Sequence, residues 1–305
     1  MEPEPHGVNP ADAVPRSEER MVEANGVRLC VQTFGHATDP PLLLVAGAAS
    51  PMDWWDEELC RRLAAGPRYV VRYDHRDTGR SDSFPPGAPP YTGRDLVEDQ
   101  VGVLDALGLP AAHLVGISMG GALAQCVALD HPDRVSTLTL VATSPAVPVD
   151  VELPPMADRL RPVFAEPAPP PDWTDRAAVV DHLVESERPF AGSLPFDEER
   201  LRELAGRIHD RTPDMATADN HWAVDEGEPY GYRLDRIAAP TLVLHGTDDP
   251  LFPYGHGEAL AAAIPGARLV PLEGCGHQMP PRSLWDVVVR EILRQTGSGA
   301  AGGRS

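Results

Sequence analysis

The sequence predicts an α/β fold with a mostly parallel central sheet, helices on both faces and a helical cap insertion. Three observations carry this. Apolar runs of strand length alternate with helical patterns from about residue 41 to 144. The same alternation resumes near 239 and runs to 295, and between the two stretches it stops. Alternation of this kind implies parallel pairing, because each crossover helix returns the chain to the end of the sheet where the previous strand began. The chain therefore divides into core residues 18–144, a cap over 145–238 and further core over 239–295. The tails 1–17 and 296–305 are poor in apolar residues and are predicted to be disordered.

In chain order, "RMVEANGVRLCVQTFG" is a hairpin, its two apolar arms meeting at Asn25-Gly26, a pair suited to a two-residue turn. "PLLLVAG" (41–47) is a buried strand and "DEELCRRLAAG" (56–66) a helix that ends at glycine. "RYVVRYD" (68–74) is a strand, and "GRDLVEDQVGVLDALGL" (93–109) carries apolar residues at helical spacing. "AHLVGIS" is a strand, "MGGALAQCVALDHP" a helix and "VSTLTLVAT" a strand. The cap is proline-rich ("EPAPPPDW") with two helical patterns, "DRAAVVDHLVESE" and "DEERLRELAGRIHDR". Its aromatics, Trp173, Phe190, Phe196, Trp222, Tyr230 and Tyr232, read as the core of a small helical unit. "PTLVLHG" (240–246), "GEALAAAIPG" (257–266), "ARLVPLEG" (267–274) and "PRSLWDVVVREILRQ" (281–295) complete the strand–helix series.

Composition excludes several functions. A net charge of −20 disfavours a phosphate backbone as partner. All 26 basic residues are arginine, so neither a P-loop lysine nor a lysine Schiff base is available. No apolar run reaches the roughly 18 residues of a membrane span. The acidic, proline-rich N-terminus does not read as a secretory signal. Cys30, Cys60, Cys126 and Cys275 are scattered without a C-x-x-C pair and read as thiols in a reducing cytoplasm. No metal and no organic cofactor is expected, and no pattern sets an oligomeric state.

Within "LVGISMGGALAQ", Gly116-Ile117-Ser118-Met119-Gly120 follows a strand and opens a helix. G-x-S-x-G in that context is a nucleophile elbow, with glycines permitting a sharp turn that leaves Ser118 exposed above the sheet. A serine hydroxyl needs a base and an orienting carboxylate. His277, in the glycine-flanked loop "EGCGHQMP", is the base candidate among 11 histidines. His113 and His245 end strands and read as structural, and His75 follows a strand. His131, His182, His209, His221 and His256 fall on helical patterns and read as solvated. For the carboxylate, "LHGTDDPLFP" offers Asp248 and Asp249. Asp249, before Pro250, is biased to extended backbone, while Asp248 could equally cap the turn; Asp150 is a remote third. Cys275, near His277, reads as a small residue fitting a tight loop.

These residues resemble the α/β-hydrolase fold family, whose acid pattern G-x-x-D-x-x-x-P matches Gly246, Asp249 and Pro253. The resemblance therefore implies Asp249 as the triad acid. The family's His-Gly-x oxyanion loop reads here as Ala46-Gly47-Ala48, implying backbone donors at Ala48 and Met119. The D-x-R-G-x-G-x-S loop reads "DHRDTGRS", with Asp77 in place of the first glycine and an expected turn contact to Arg76 or Arg80. "RYDHRDTGRS", "GISMGG", "ALDHPDR" and "GCGH" together are similar to aclacinomycin-type methylesterases, which tailor anthracycline polyketides.

The resemblance implies a serine esterase acting through an acyl-enzyme on a small-molecule, hydrophobic ester. The scattered cysteines and the N-terminus point to the cytoplasm, and the charge and short apolar runs to no nucleic acid or membrane partner. A methyl ester of a bulky polyketide-like metabolite is the implied substrate. Perhydrolases, thioesterases and C–C bond hydrolases reuse such a triad, and a non-catalytic binder would retain only the pocket. Serine at 118 excludes relatives that need an aspartate nucleophile.

Overall fold

The computed structural model describes residues 13–225, 231 and 233–297. The chain opens with β1 (Arg20–Ala24) and β2 (Val27–Phe34), paired antiparallel through a turn at Asn25 and Gly26. Both turn residues have positive φ, 46° and 76°, as a tight hairpin of matching twist requires. The alternating series follows as β3 (Pro41–Val45), α1 (Glu57–Ala65), β4 (Tyr69–Tyr73), α2 (Gly93–Ala106), β5 (Ala112–Ile117), α3 (Met119–Asp130) and β6 (Val135–Val141). It resumes with β7 (Thr241–Gly246), α7 (Gly255–Ala263), β8 (Arg268–Leu272) and α8 (Trp285–Gly297). The eight strands form one sheet in the order β1-β2-β4-β3-β5-β6-β7-β8. The pairs of β2 with β1 and with β4 are antiparallel, and every later pair is parallel.

The strands alternate their side chains between two cores, as the pleat dictates. Leu43 and Val45 join Leu96, Leu123 and Leu260 of α2, α3 and α7. Leu42 and Leu44 join Leu59 of α1 and Val288 of α8 on the opposite face. Both faces are thus covered, which is why the central strands read as continuous apolar runs rather than alternating ones. Among the described residues no helix is long and apolar enough to cross a membrane.

Between β6 and β7 the chain carries α4 (Arg161–Ala165), α5 (Arg176–Glu187), α6 (Glu198–Arg211) and a 3-10 turn over Met215–Trp222. Asp175 and Asp197 cap α5 and α6 by accepting from backbone N–H groups of the first turn. Val179, Ile208 and Met215 form a small core of their own, with Trp54, Trp173, Leu183 and Leu204 against it. Arg211, the last residue of α6, reaches the core and binds the carboxylates of Glu19, Asp53 and Asp74. Asp74 is fully buried, and burial pushes its carboxyl up against the pull of that guanidinium.

Two expectations about the chain ends change. Residues 13–17 were expected within a disordered tail, yet Gly35 N–H donates to Pro15 O and Ser17 N–H to Thr33 O, both at 2.9 Å. The end of β2 extends past β1, and its backbone groups find partners in this segment. At the other end α8 continues to Gly297, with Arg68 Nε donating to Thr296 Oγ1 at 2.8 Å. The remaining tail residues, 1–12 and 298–305, lie outside the described residues, as do Tyr230 and Tyr232. Of the other cap aromatics, Trp173 packs as expected, but Trp222 is 68% exposed. Trp222 ends a turn whose inward positions are taken by Met215, Thr217, Asn220 and His221.

Candidate active site

Ser118 stands at the junction of β5 and α3 with φ 51° and ψ −122°, a conformation L-residues avoid. The glycines around it leave room for the turn. A Cβ on Gly116 would lie 2.2 Å from Gly120 O, and one on Gly120 would lie 2.4 Å from Ala46 O. The turn is held from outside: Ser118 N–H donates to Val141 O at 3.0 Å, and Thr143 Oγ1 donates to Ser118 O at 2.7 Å. A strained residue persists where its surroundings fix it this firmly.

The loops after β7 and β8 bring two further side chains to this elbow. His277 Nε2 lies 3.0 Å from Ser118 Oγ, and His277 Nδ1 lies 2.9 Å from Asp249 Oδ2. Asp249 is buried, and its other oxygen accepts from Leu251 N–H at 2.9 Å and Phe252 N–H at 2.8 Å. The carboxylate thus holds the His277 Nδ1 proton, leaving the Nε2 lone pair toward the hydroxyl. Phe252 and Phe190 flank the imidazole at ring distances of 5.2 and 6.2 Å. His277 N–H also donates to Phe190 O at 2.9 Å, so the insertion helps to place the ring.

The neighbouring candidates fall elsewhere. Asp248 is exposed and accepts from Ser193 N–H at 3.2 Å. Asp150 pairs with Arg233 at 2.6 Å, also exposed. Cys275 is buried, and burial pushes its thiol up to about 12.

The loop Ala46-Gly47-Ala48 runs beside the elbow, close enough that a Cβ on Gly47 would lie 3.6 Å from Ser118 Cβ. Among the described residues, neither Ala48 N–H nor Met119 N–H has a protein acceptor. An arrangement of this kind can pass a hydroxyl proton to an imidazole.

Three readings change here. Asp77, expected against Arg76 or Arg80, instead accepts from Phe84 N–H and Tyr91 Oη at 2.6 Å each, and from Asn220 Nδ2 at 3.0 Å. With φ 64° it takes the left-handed conformation that the glycine of the motif would take, which aspartate tolerates better than most residues. His221 and His256, expected in solvent, are both buried with both ring nitrogens bonded. Each lies on the face of its segment that packs onto the core, which helical spacing alone does not identify.

The profile of the alpha/beta hydrolase fold family matches residues 40–280. The chain belongs to the α/β-hydrolase fold family. This α/β-hydrolase is 36% identical over 277 residues to rhodomycin D methylesterase DauP of Streptomyces sp. (strain C5), covering 86% of this chain and 92% of that protein. It is 33% identical over 276 residues to rhodomycin D methylesterase DnrP of Streptomyces peucetius, with the same coverage of 86% and 92%. Among solved structures, the meta-cleavage product hydrolase of Pseudomonas fluorescens IP01 superposes with a TM-score of 0.69 at 20% identity, covering 92% of this chain and 97% of that one. At that identity the likeness shows the fold alone. The methylesterase similarity agrees with the resemblance carried by the sequence motifs.

Proposed function

We propose that this α/β-hydrolase is a serine esterase that cleaves the methyl ester of a bulky, largely apolar polycyclic metabolite. The observation that carries the reading is the continuous hydrogen-bond chain from Ser118 Oγ through His277 to Asp249, at 3.0 and 2.9 Å. In the proposed reaction Ser118 Oγ attacks the ester carbonyl while His277 Nε2 takes the hydroxyl proton. The carbonyl oxygen becomes an oxyanion held by Ala48 and Met119 N–H. Collapse expels the alkoxide, which leaves as methanol with the proton from His277, and an acyl-enzyme remains. Water then attacks with His277 as base, releasing the acid and restoring Ser118.

The substrate class rests on the two rhodomycin D methylesterases and on the surroundings of His277. Residues 145–238 are read as a cap over the site, and Phe190 comes from that segment. Phe164 is 46% exposed, and its ring lies 6.2 Å from that of Phe190, which in turn neighbours His277. This line of aromatic rings leads from the surface to the base and suits an apolar substrate.

The test is Ser118→Ala, assayed on a panel of polycyclic methyl esters, aryl acetates and thioesters. Activity on the methyl esters should exceed that on the acetates in the parent and fall by up to roughly a million-fold in the variant. A serine-directed fluorophosphonate should label only the parent. Retention of a tenth of the activity by the folded variant would remove Ser118 from the reaction, and preference for a thioester would move the substrate class.

A further inference from the structure

Two histidines from different parts of the chain close on the loop beside the elbow. His75 Nε2 donates to Ala46 O at 3.1 Å. His221 Nδ1 accepts from Ala49 N–H at 2.8 Å, and its Nε2 donates to Arg76 O at 2.8 Å. The partners fix the tautomer of His221. A backbone N–H can only donate and a carbonyl can only accept, so Nδ1 is bare and Nε2 carries the proton. Both rings are buried and meet edge to face with centroids 5.8 Å apart.

The backbone they hold is strained. Ala49 has φ 55°, a left-handed conformation that residues other than glycine seldom adopt and that persists only where neighbours enforce it. His221 is fixed in turn, because the Met215–Trp222 turn is tied to the loop after β4 at Asp77. Thr217 Oγ1 lies 3.0 Å from Asp77 O, its one proton shared with Asp214 O at 2.9 Å, and Asn220 Nδ2 donates to Asp77 Oδ2 at 3.0 Å. The chain "DHRDTGRS" thus anchors a histidine from the insertion, and that histidine grips the oxyanion loop.

We infer that His221 is a positioning residue for the oxyanion loop. The peptide joining Gly47 to Ala48 carries the Ala48 N–H. It lies between the Ala46–Gly47 peptide, held through its carbonyl by His75, and the Ala48–Ala49 peptide, held through its N–H by His221. Fixing a peptide on each side sets the direction of the one between. In this chain Ala46 stands where the family's loop has a histidine, and His221 supplies an imidazole from 172 residues away. The inference rests on the proposed role of Ala48 N–H and adds the residue that aims it.

The two nitrogens of His221 can be tested apart. In His221→Asn a carboxamide oxygen can occupy the Nδ1 position and accept from Ala49. In His221→Gln an amide group can reach the Nε2 position and donate to Arg76 O, while the acceptor for Ala49 is lost. With 4-nitrophenyl acetate, His221→Gln should lose about 10- to 100-fold in kcat with KM within about threefold, because an oxyanion donor acts mainly in the transition state. His221→Asn should recover most of that loss. A purely structural role, docking the turn on Arg76, predicts the reverse order, and that order would overturn the inference, as would a parent-like kcat for His221→Gln.

The parent protein supplies a measurement that needs no variant. The imidazole ¹⁵N spectrum at neutral pH should give the Nε2–H tautomer for His221, and an Nδ1–H tautomer would also overturn the inference. Ser118→Ala assayed in parallel separates the two levels. If it too keeps activity, the nucleophile assignment fails; if it is inactive while His221→Gln is unimpaired, only the role of His221 fails.

Discussion

Asp249 divides its two oxygens between different tasks, and that division makes it irreplaceable by its amide. Oδ1 is committed to the N–H groups of Leu251 and Phe252, so Oδ2 alone faces His277. In Asp249→Asn the amide oxygen must stay with the two donors, which turns the NH₂ toward Nδ1 and forces the proton onto Nε2. That tautomer cannot take a proton from Ser118, and kcat should fall by about four decades. Asp248→Asn, on an exposed side chain held by Ser193, should cost at most about tenfold. Steady-state kinetics of the two variants checks the assignment, and the opposite ranking would overturn it. At this scale the sequence was most legible where chemistry is local: the glycines around Ser118 and the proline after Asp249 are neighbours in the chain. His221 gave no such signal. Its partners, Ala49 and Arg76, lie 172 and 145 residues away, and nothing beside it in the sequence distinguishes an inward from an outward face.

At the elbow, β5, α3 and the loop after β3 pack with almost no side chains between them. A methyl group on Gly116 has Gly120 O at 2.2 Å and Gly121 N at 2.7 Å, all backbone and none free to rotate aside. Gly116→Ala should therefore destabilise the fold by about 1–3 kcal/mol, by analogy with overpacked cores. A fall in the urea midpoint at unchanged slope is the expected reading; an unchanged midpoint would mean the turn opens readily. Strands and helices of the core were legible because their periodicity reports burial directly. The contacts that join elements were not. Asp77 reads locally as a turn residue, yet it serves Tyr91 and Asn220, the latter 143 residues on.

For the molecule as a whole, burial of neutral histidines sets a pH dependence of stability. Burial lowers His75 to about 3 and His113 to about 4, and it also lowers His221 and His245. Above the ordinary imidazole value of about 6.5 both folded and unfolded chains hold these rings neutral, and they contribute nothing to the slope. As pH falls below it, the unfolded chain takes up protons that the folded chain refuses, so stability drops by up to about 1.4 kcal/mol per pH unit per ring. Glu187, lining a cleft and raised to about 7 by burial, acts in the opposite sense between the ordinary carboxylate range and that value. Asp74 and Asp99, whose carboxyls burial also pushes up, act in the same sense as Glu187, and the four rings outnumber these three carboxyls. The melting temperature should therefore fall between pH 7 and pH 5, and a rise over that interval would contradict the neutral, buried state of these histidines.

Arg211 has a bearing on how the protein can be re-engineered. Its guanidinium comes from the segment between β6 and β7, and its counter-charges come from the core, Asp74 among them in a site without solvent. A chimaera that takes residues 145–238 from another hydrolase discards the only guanidinium that pairs with Asp74 among the described residues. An unpaired carboxylate in such a site costs about 3–5 kcal/mol, enough to unfold many domains. Recombination libraries should treat positions 74 and 211 as one inherited unit, so that a change of substrate range is not mistaken for a loss of fold.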